Sequence, residues 1–202
     1  MKGFSKTMIH HCYDFIETYI LKDYDYVLNV IKPNVHLSSE MILLDVGGGT
    51  GKIIDTFSSD VNISILLDPS KKMLNHSSSK MINKIQADGS FIPLKNSCVD
   101  IVFLIHVLHH IDETYHKAVL KEVHRVLKPH GQCYLFDLYY PHTILNTLYT
   151  KIEEFCVGKT YHKPSACFCS LLETIGFQTI TRLYTDSKHW RYFISAVKKD
   201  SK

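Results

Sequence analysis

The stretch Met41-Ile-Leu-Leu-Asp-Val-Gly-Gly-Gly-Thr-Gly-Lys52 decides the fold. Its first half is an apolar run broken only by Asp45. A continuous apolar run, rather than an alternating one, predicts a strand buried on both faces, as in a parallel sheet. Its second half holds four of the chain's nine glycines, at positions 47, 48, 49 and 51. Glycine there lets the backbone turn sharply and lets a ligand approach without Cβ atoms in the way. The spacing after it predicts a helix beginning at Lys52. A glycine turn at the carboxyl end of a central strand is where open α/β sheets bind ligands.

Further along, Val61–Leu67, Ile82–Ala87, Val99–Ile105 and Gln132–Asp137 read as further strands. Helices are predicted over Pro69–Lys80 and over a long amphipathic stretch from a cap at Asp112 to Leu127, closed by Pro129 and Gly131. Strand and helix in alternation give an α/β sheet that is mostly parallel. After Asp137 the rhythm changes. Helices over residues 143–156 and Ser165–Ile175 precede two runs, Gln178–Tyr184 and Trp190–Val197, which read as an antiparallel hairpin added at the sheet edge. Upstream, Phe4–Ile31 has helical periodicity that Pro33 ends.

The chain has 202 residues, 45% of them hydrophobic and 21% charged, which suits one compact domain with a full core. The uncharged run Ile101–Ile111 is too short to span a bilayer. The amino-terminal MKGFSKTMIHH lacks the apolar segment of a secretory signal. A net charge of +3 is too mild to argue for nucleic acid. Six cysteines at 12, 98, 133, 156, 167 and 169 form no C-x-x-C pair. Cys98 and Cys133 lie in apolar, strand-like runs that predict buried, reduced thiols, and a cytoplasmic setting follows. Cys167, Cys169 and His162 match no zinc spacing, so no metal is expected.

The glycines run Gly47-x-Gly49-x-Gly51, not the G-x-G-x-x-G of dinucleotide sites. Asp45 stands two residues ahead of them. A carboxylate there repels a pyrophosphate but suits an ammonium group. Asp68, at the end of the second strand, suits the hydroxyls of a ribose. The combination points to a nucleoside cofactor carrying a cation, such as S-adenosylmethionine (SAM). The bland alternative is a tight strand-to-helix turn with no ligand.

At this point the chain resembles the class I SAM-dependent methyltransferases, in particular the small-molecule branch containing the ubiquinone/menaquinone-biosynthesis C-methyltransferases. The resemblance rests on LLDVGGGTG (43–51), LLDPSKKML (66–74), QADGSFIPLKNSCVDIVFLIHVLHHI (86–111), LKEVHRVLKPHGQCYLFDL (120–138) and LLETIGF (171–177), in the family's order. It implies a Rossmann-like, doubly wound sheet of seven strands with helices on both faces. It also implies a single methyltransferase domain over 1–202, with a helical cap at 1–35 and a short substrate-cap insert at 138–163. By the same resemblance, Asp45, Gly47, Gly48, Gly49 and Gly51 wrap the methionine portion. Asp68 takes the ribose hydroxyls, and Pro69 packs beside the adenine. Asp88 accepts from the adenine N6 amine, and Gly89 lets the chain bend past the ring. Ile105 and His106 line the cofactor on the opposite side.

The implied reaction is in-line methyl transfer to a small-molecule acceptor, in which positioning supplies much of the rate. A base is needed only if the acceptor is protonated. His106, His109 and His142 are the candidates, with His109 and His110 matching a common L-H-H pair that often has a structural role. Two other readings stay open: a SAM- or S-adenosylhomocysteine-binding partner subunit without catalysis, and a nicotinamide oxidoreductase, which Asp45 and the glycine spacing disfavour. Acceptor atom and oligomeric state are not legible.

Overall fold

The structure, a computed structural model, describes residues 24–77, 79–139, 158–186 and 191–200, with 147, 150, 151 and 154. Within the expected helix over 143–156, the described residues Thr147, Thr150, Lys151 and Glu154 are helical, while the rest of it and most of the expected amino-terminal helix fall outside the described residues. The chain divides into two units, Met1–His36 and Leu37–Lys202. In the first, a helix over 24–31 (α1) runs into a 3-10 turn at Lys32–Asn34, where Pro33 ends the α-pattern as expected.

The second unit is a seven-stranded sheet. Its strands are β1 Ile42–Val46, β2 Ile63–Asp68, β3 Ile82–Gln86, β4 Val99–Ile105, β5 Leu127–Leu138, β6 Phe177–Thr185 and β7 Arg191–Lys198. Their spatial order is β3-β2-β1-β4-β5-β7-β6. The pairs among β1 to β5 are parallel, whereas β7 runs antiparallel to both β5 and β6. Four of the five β1 residues and six of the seven β4 residues are buried, which the continuous apolar runs require. Helices α2 Lys52–Phe57, α3 Lys71–His76, α4 Glu113–Val126 and α5 Ser165–Ile175 belong to the same unit. Helix α4 turns Val119, Leu120, Val123 and Val126 into the core, and Asp112 caps it by accepting from the Thr114 N–H at 3.0 Å.

Three local expectations need correction. α3 stops at His76, not Lys80, because Ser77 turns extended. α4 stops at Val126 rather than being closed by Pro129 and Gly131: Leu127 is already extended and pairs with Val99, so β5 starts five residues earlier than expected. Cys98 is half-buried just ahead of β4, and its thiol donates to the Lys95 carbonyl at 3.0 Å. Cys133 is 1% exposed, as expected, and burial pushes its thiol up to about 12.

β1 sits where the strand order reverses, between β2 and β4. The crevice of such a sheet opens beyond the carboxyl ends of these strands.

Candidate functional site

The glycine loop leaves β1 into that crevice. Gly47, Gly49 and Gly51 all have φ in the left-handed region, at 72°, 59° and 78°. Gly48 does not, but a Cβ there would lie 2.2 Å from Asp45 Oδ2, so only glycine fits. A Cβ on Gly47 would strike Val107, 2.7 Å away, which shows the loop resting on the segment that follows β4. Around Gly49 nothing among the described residues lies within 4 Å of that position, so there the tip of the loop borders open space.

Asp45 is 1% exposed. Among the described residues no donor reaches either of its oxygens. Burial, with a smaller repulsion from Asp68, raises its carboxyl from the usual range to about 7. A buried carboxylate without a partner is costly unless a cation meets it. The loop therefore holds an acid that calls for a positively charged ligand group.

Asp68 closes β2 and is buried. Its Oδ2 accepts from the Gly49 N–H at 2.9 Å and its Oδ1 from the Ser70 N–H at 2.8 Å. It thus ties the glycine loop to β2 and orders the turn into α3, whose cap is Ser70. A carboxylate has about four acceptor positions, so capacity for two hydroxyls remains. Pro69 is exposed next to it. Asp88, past β3, is exposed and accepts from the Ser90 N–H and hydroxyl at 2.7 and 2.6 Å. Gly89 is buried, with room for no more than hydrogen against Val46, 3.0 Å from a built Cβ.

On the other side of the crevice, Ile105 is buried and His106 takes a left-handed φ of 56°. The His106 N–H donates to the Phe136 carbonyl at 2.8 Å. Burial, then repulsion from His109, Arg191 and His110, outweighs the pull of Asp137 and lowers the His106 ring to about 3, so it is neutral. His109 follows in a 3-10 turn, Leu108–His110. Its Nδ1 is hydrogen-bonded to Asp137 Oδ1, and its backbone N–H donates to Asp137 Oδ2 at 3.2 Å. Asp137 also receives the Leu138 N–H at 2.8 Å. Burial opposes its ionisation, but the His109 ring and these hydrogen bonds hold its carboxyl at about 2. His109 and Asp137 are 3% and 1% exposed. His142 lies outside the described residues.

Sequence reasoning brought Asp45, Asp68 and the glycines to one place, and His106 and His109 to another. It passed over Asp137, although the signal was there: an acid closing an apolar strand, as Asp45 does in β1. It also passed over Arg125, whose guanidinium donates to the Ile92 and Leu94 carbonyls at 2.8 Å and to Glu122 at 2.7 Å. This clamps the loop between β3 and β4. Ligand atoms of His106, His109 and Asp137 lie within 4.8 Å of one another.

Residues 44–135 match the methyltransferase domain family. The match marks this stretch as similar to a methyltransferase domain. Over 148 residues, 66% of its length, the chain is 30% identical to the ubiquinone/menaquinone biosynthesis C-methyltransferase UbiE of Blochmanniella floridana, covering 58% of that protein. The chain thus spans less than two thirds of the length of that relative. The chain shares its fold with the YcgJ protein of Bacillus subtilis at a TM-score of 0.72 and 15% identity, covering 88% of this chain and all of the other. It also superposes on phosphoethanolamine N-methyltransferase 2 of Haemonchus contortus in complex with SAM. There the TM-score is 0.72 and the identity 16%, over 88% of this chain and 53% of that one.

Proposed function

We propose that this chain binds SAM and transfers its methyl group to a small-molecule acceptor. The observation that carries the reading is Asp45: a buried carboxylate with no partner among the described residues, at the base of a glycine loop whose tip borders open space. The methionine ammonium of SAM is a cation that such a loop can wrap. The free acceptor capacity of Asp68 suits the ribose hydroxyls, and Asp88 stands past β3, where an adenine amine is reached by resemblance. The family, and the SAM held by the Haemonchus structure, support the same cofactor.

Bound SAM supplies a methyl on a sulfonium, already activated for displacement. The chain's own residues then have three tasks. The glycine loop, held by Asp68, orients the methionine end. Val107, in contact with Gly47, brings the segment after β4 against that loop. Ile105 and His106 close the crevice to water. Alignment of acceptor, methyl and sulfur supplies much of the rate. The likeness to the UbiE relative favours a small acceptor, and the segment 138–163 is where we place its recognition.

Isothermal titration with SAM, S-adenosylhomocysteine and NAD tests the cofactor. Binding of the first two but not NAD is expected. Absence of SAM binding at millimolar concentration overturns the reading.

A further inference from the structure

We infer that the cavity between the start of α5 and the edge strand β6 binds a small organic anion, whose carboxylate or phosphate group is held by Arg182. The inference stands on this cavity and goes beyond the methyl-transfer reading.

The cavity measures about 360 Å³ and is lined by Tyr139, Pro164, Ser165, Arg182, Thr185 and Tyr192. That volume suits a small molecule. Its polar lining is a guanidinium with hydroxyls, and no carboxylate is among the residues that line it. Among the described residues Arg182 has no ion pair, and the Tyr139, Ser165 and Thr185 hydroxyls have no hydrogen-bond partner. A guanidinium presents a planar fork that meets a carboxylate or phosphate through two parallel N–H bonds. The hydroxyls supply further donors to the same group. The rings of Tyr139, Pro164 and Tyr192 give the organic part of the ligand an apolar wall.

An irregularity in β6 brings the polar groups together. Arg182 and Thr185 are three residues apart, so a regular strand would turn them to opposite faces. Instead β6 carries an extra residue between Arg182 and Tyr184 relative to β7. Arg182 then pairs with Ile194 and Thr185 with Tyr192. Ile194 and Tyr192 are two apart on β7 and share a face, so Arg182 and Thr185 reach one cavity. Tyr192 is 2% exposed, and its hydroxyl donates to the Lys163 carbonyl at 3.1 Å, which fixes the entry to α5 beside the cavity. Ser165 opens α5 without a side-chain cap, so the positive end of that helix adds to the field of the arginine.

The cavity lies toward the carboxyl end of β5, as the crevice does. Asp137, Tyr192 and Thr185 stand in register across β5, β7 and β6. With strands about 4.8 Å apart, Thr185 is about 10 Å from Asp137. The anion is therefore either a tail of the methyl acceptor or a separate small molecule, and the contacts are the same for both.

Calorimetric titration of the whole chain with phenyl phosphate and with benzoate tests the site, with benzyl alcohol as the neutral control and amide NMR to locate the shifts. Saturable binding of at least one anion at millimolar concentration is expected, about tenfold or more tighter than benzyl alcohol, the worth of one charge-assisted hydrogen bond. The shifts should centre on Ser165, Arg182 and Thr185. Arg182→Gln should weaken the anion by about tenfold or more and Thr185→Val by less, with Tm and SAM affinity unchanged. Absence of saturable anion binding, equal binding of benzyl alcohol, shifts centred elsewhere, or undiminished binding in Arg182→Gln each overturns the inference. A second arm offers 4-hydroxyphenyl phosphate and hydroxybenzoates together with SAM. Methylation whose KM rises in Arg182→Gln at unchanged kcat assigns the anion to the acceptor, and binding without methylation assigns it to a separate ligand. SAM titration runs beside both arms: failure of the wild type to bind SAM sinks the methyl-transfer reading and leaves the anion site, whereas SAM binding without anion binding sinks the anion site alone.

Discussion

Gly49 donates its backbone N–H to the Asp68 carboxylate at 2.9 Å, so the end of the second strand holds the loop that leaves the first. The same side chain proposed to take the ribose is thus a strut for the glycine loop. Asp68→Ala removes both. SAM affinity is expected to fall by roughly 10²-fold or more, about 2.7 kcal/mol, as read by titration calorimetry. A loss under threefold would separate Asp68 from the cofactor.

Asp45 makes the unliganded protein sensitive to pH. Its folded-state carboxyl sits near 7, above the usual 3.8 of an unfolded chain. The folded state therefore holds the proton more tightly. Its contribution to stability is present below about 3.8 and is lost as the pH rises through about 7. Asp45→Asn should remove that decline from the pH profile of thermal unfolding. SAM affinity should move the opposite way, rising through pH 7 as the carboxylate forms opposite the ammonium. A flat affinity profile in the wild type would remove Asp45 from the ammonium site.

Two adjacent glycines should fail differently. In Gly48→Ala the new methyl meets Asp45 and Leu66, 2.2 and 2.6 Å away, so the loop must shift. Stability falls by about 2 kcal/mol and SAM binding is lost. In Gly49→Ala the methyl meets nothing but keeps a φ of 59°, a strain of about 1 kcal/mol. Its larger effect is on SAM, because the methyl fills the space the ligand needs. A tenfold weaker titration with a near-normal melt is expected.

Arg125 clamps the Ile92–Leu94 loop through two backbone carbonyls while pairing with Glu122. Arg125→Met leaves those carbonyls without their charged donor. A loss of about 2 kcal/mol follows, or about 6 °C in Tm for a domain of this size. Differential scanning calorimetry measures it.

Thiol chemistry separates two cysteines. Cys133 is 1% exposed with its thiol pushed up to about 12, whereas Cys167 is exposed on α5. Iodoacetamide at pH 8 should alkylate Cys167 in the native protein and reach Cys133 only on unfolding, as peptide mass mapping will show.

The parts of the fold written in local chemistry were legible: β4 over Val99–Ile105 and α5 over Ser165–Ile175 fall on the expected residues. What misled was pairing across the chain. Nothing in the Leu127–Gly131 stretch announces that Leu127 pairs with Val99, so β5 read as beginning after the glycine. In the site, Asp45 and Asp68 stood out because glycines and a strand end flank them. Asp137 did not, because its meaning depends on a histidine 28 residues away. A carboxylate closing an apolar strand is costly alone, and that cost was the readable sign of a partner elsewhere.

The position of β7 bears on how the molecule is made. The segment Arg191–Lys198 is the last strand in order but stands second from the sheet edge, between β5 and β6. β6 leaves the ribosome with no strand to pair with, and β5 waits with an open edge. β6 is paired and the β5 edge closed only when β7 arrives, so a nascent chain halted before Arg191 lacks two strands' worth of order rather than one. Such a chain presents an unpaired, apolar β5 edge to other chains until synthesis passes Lys198.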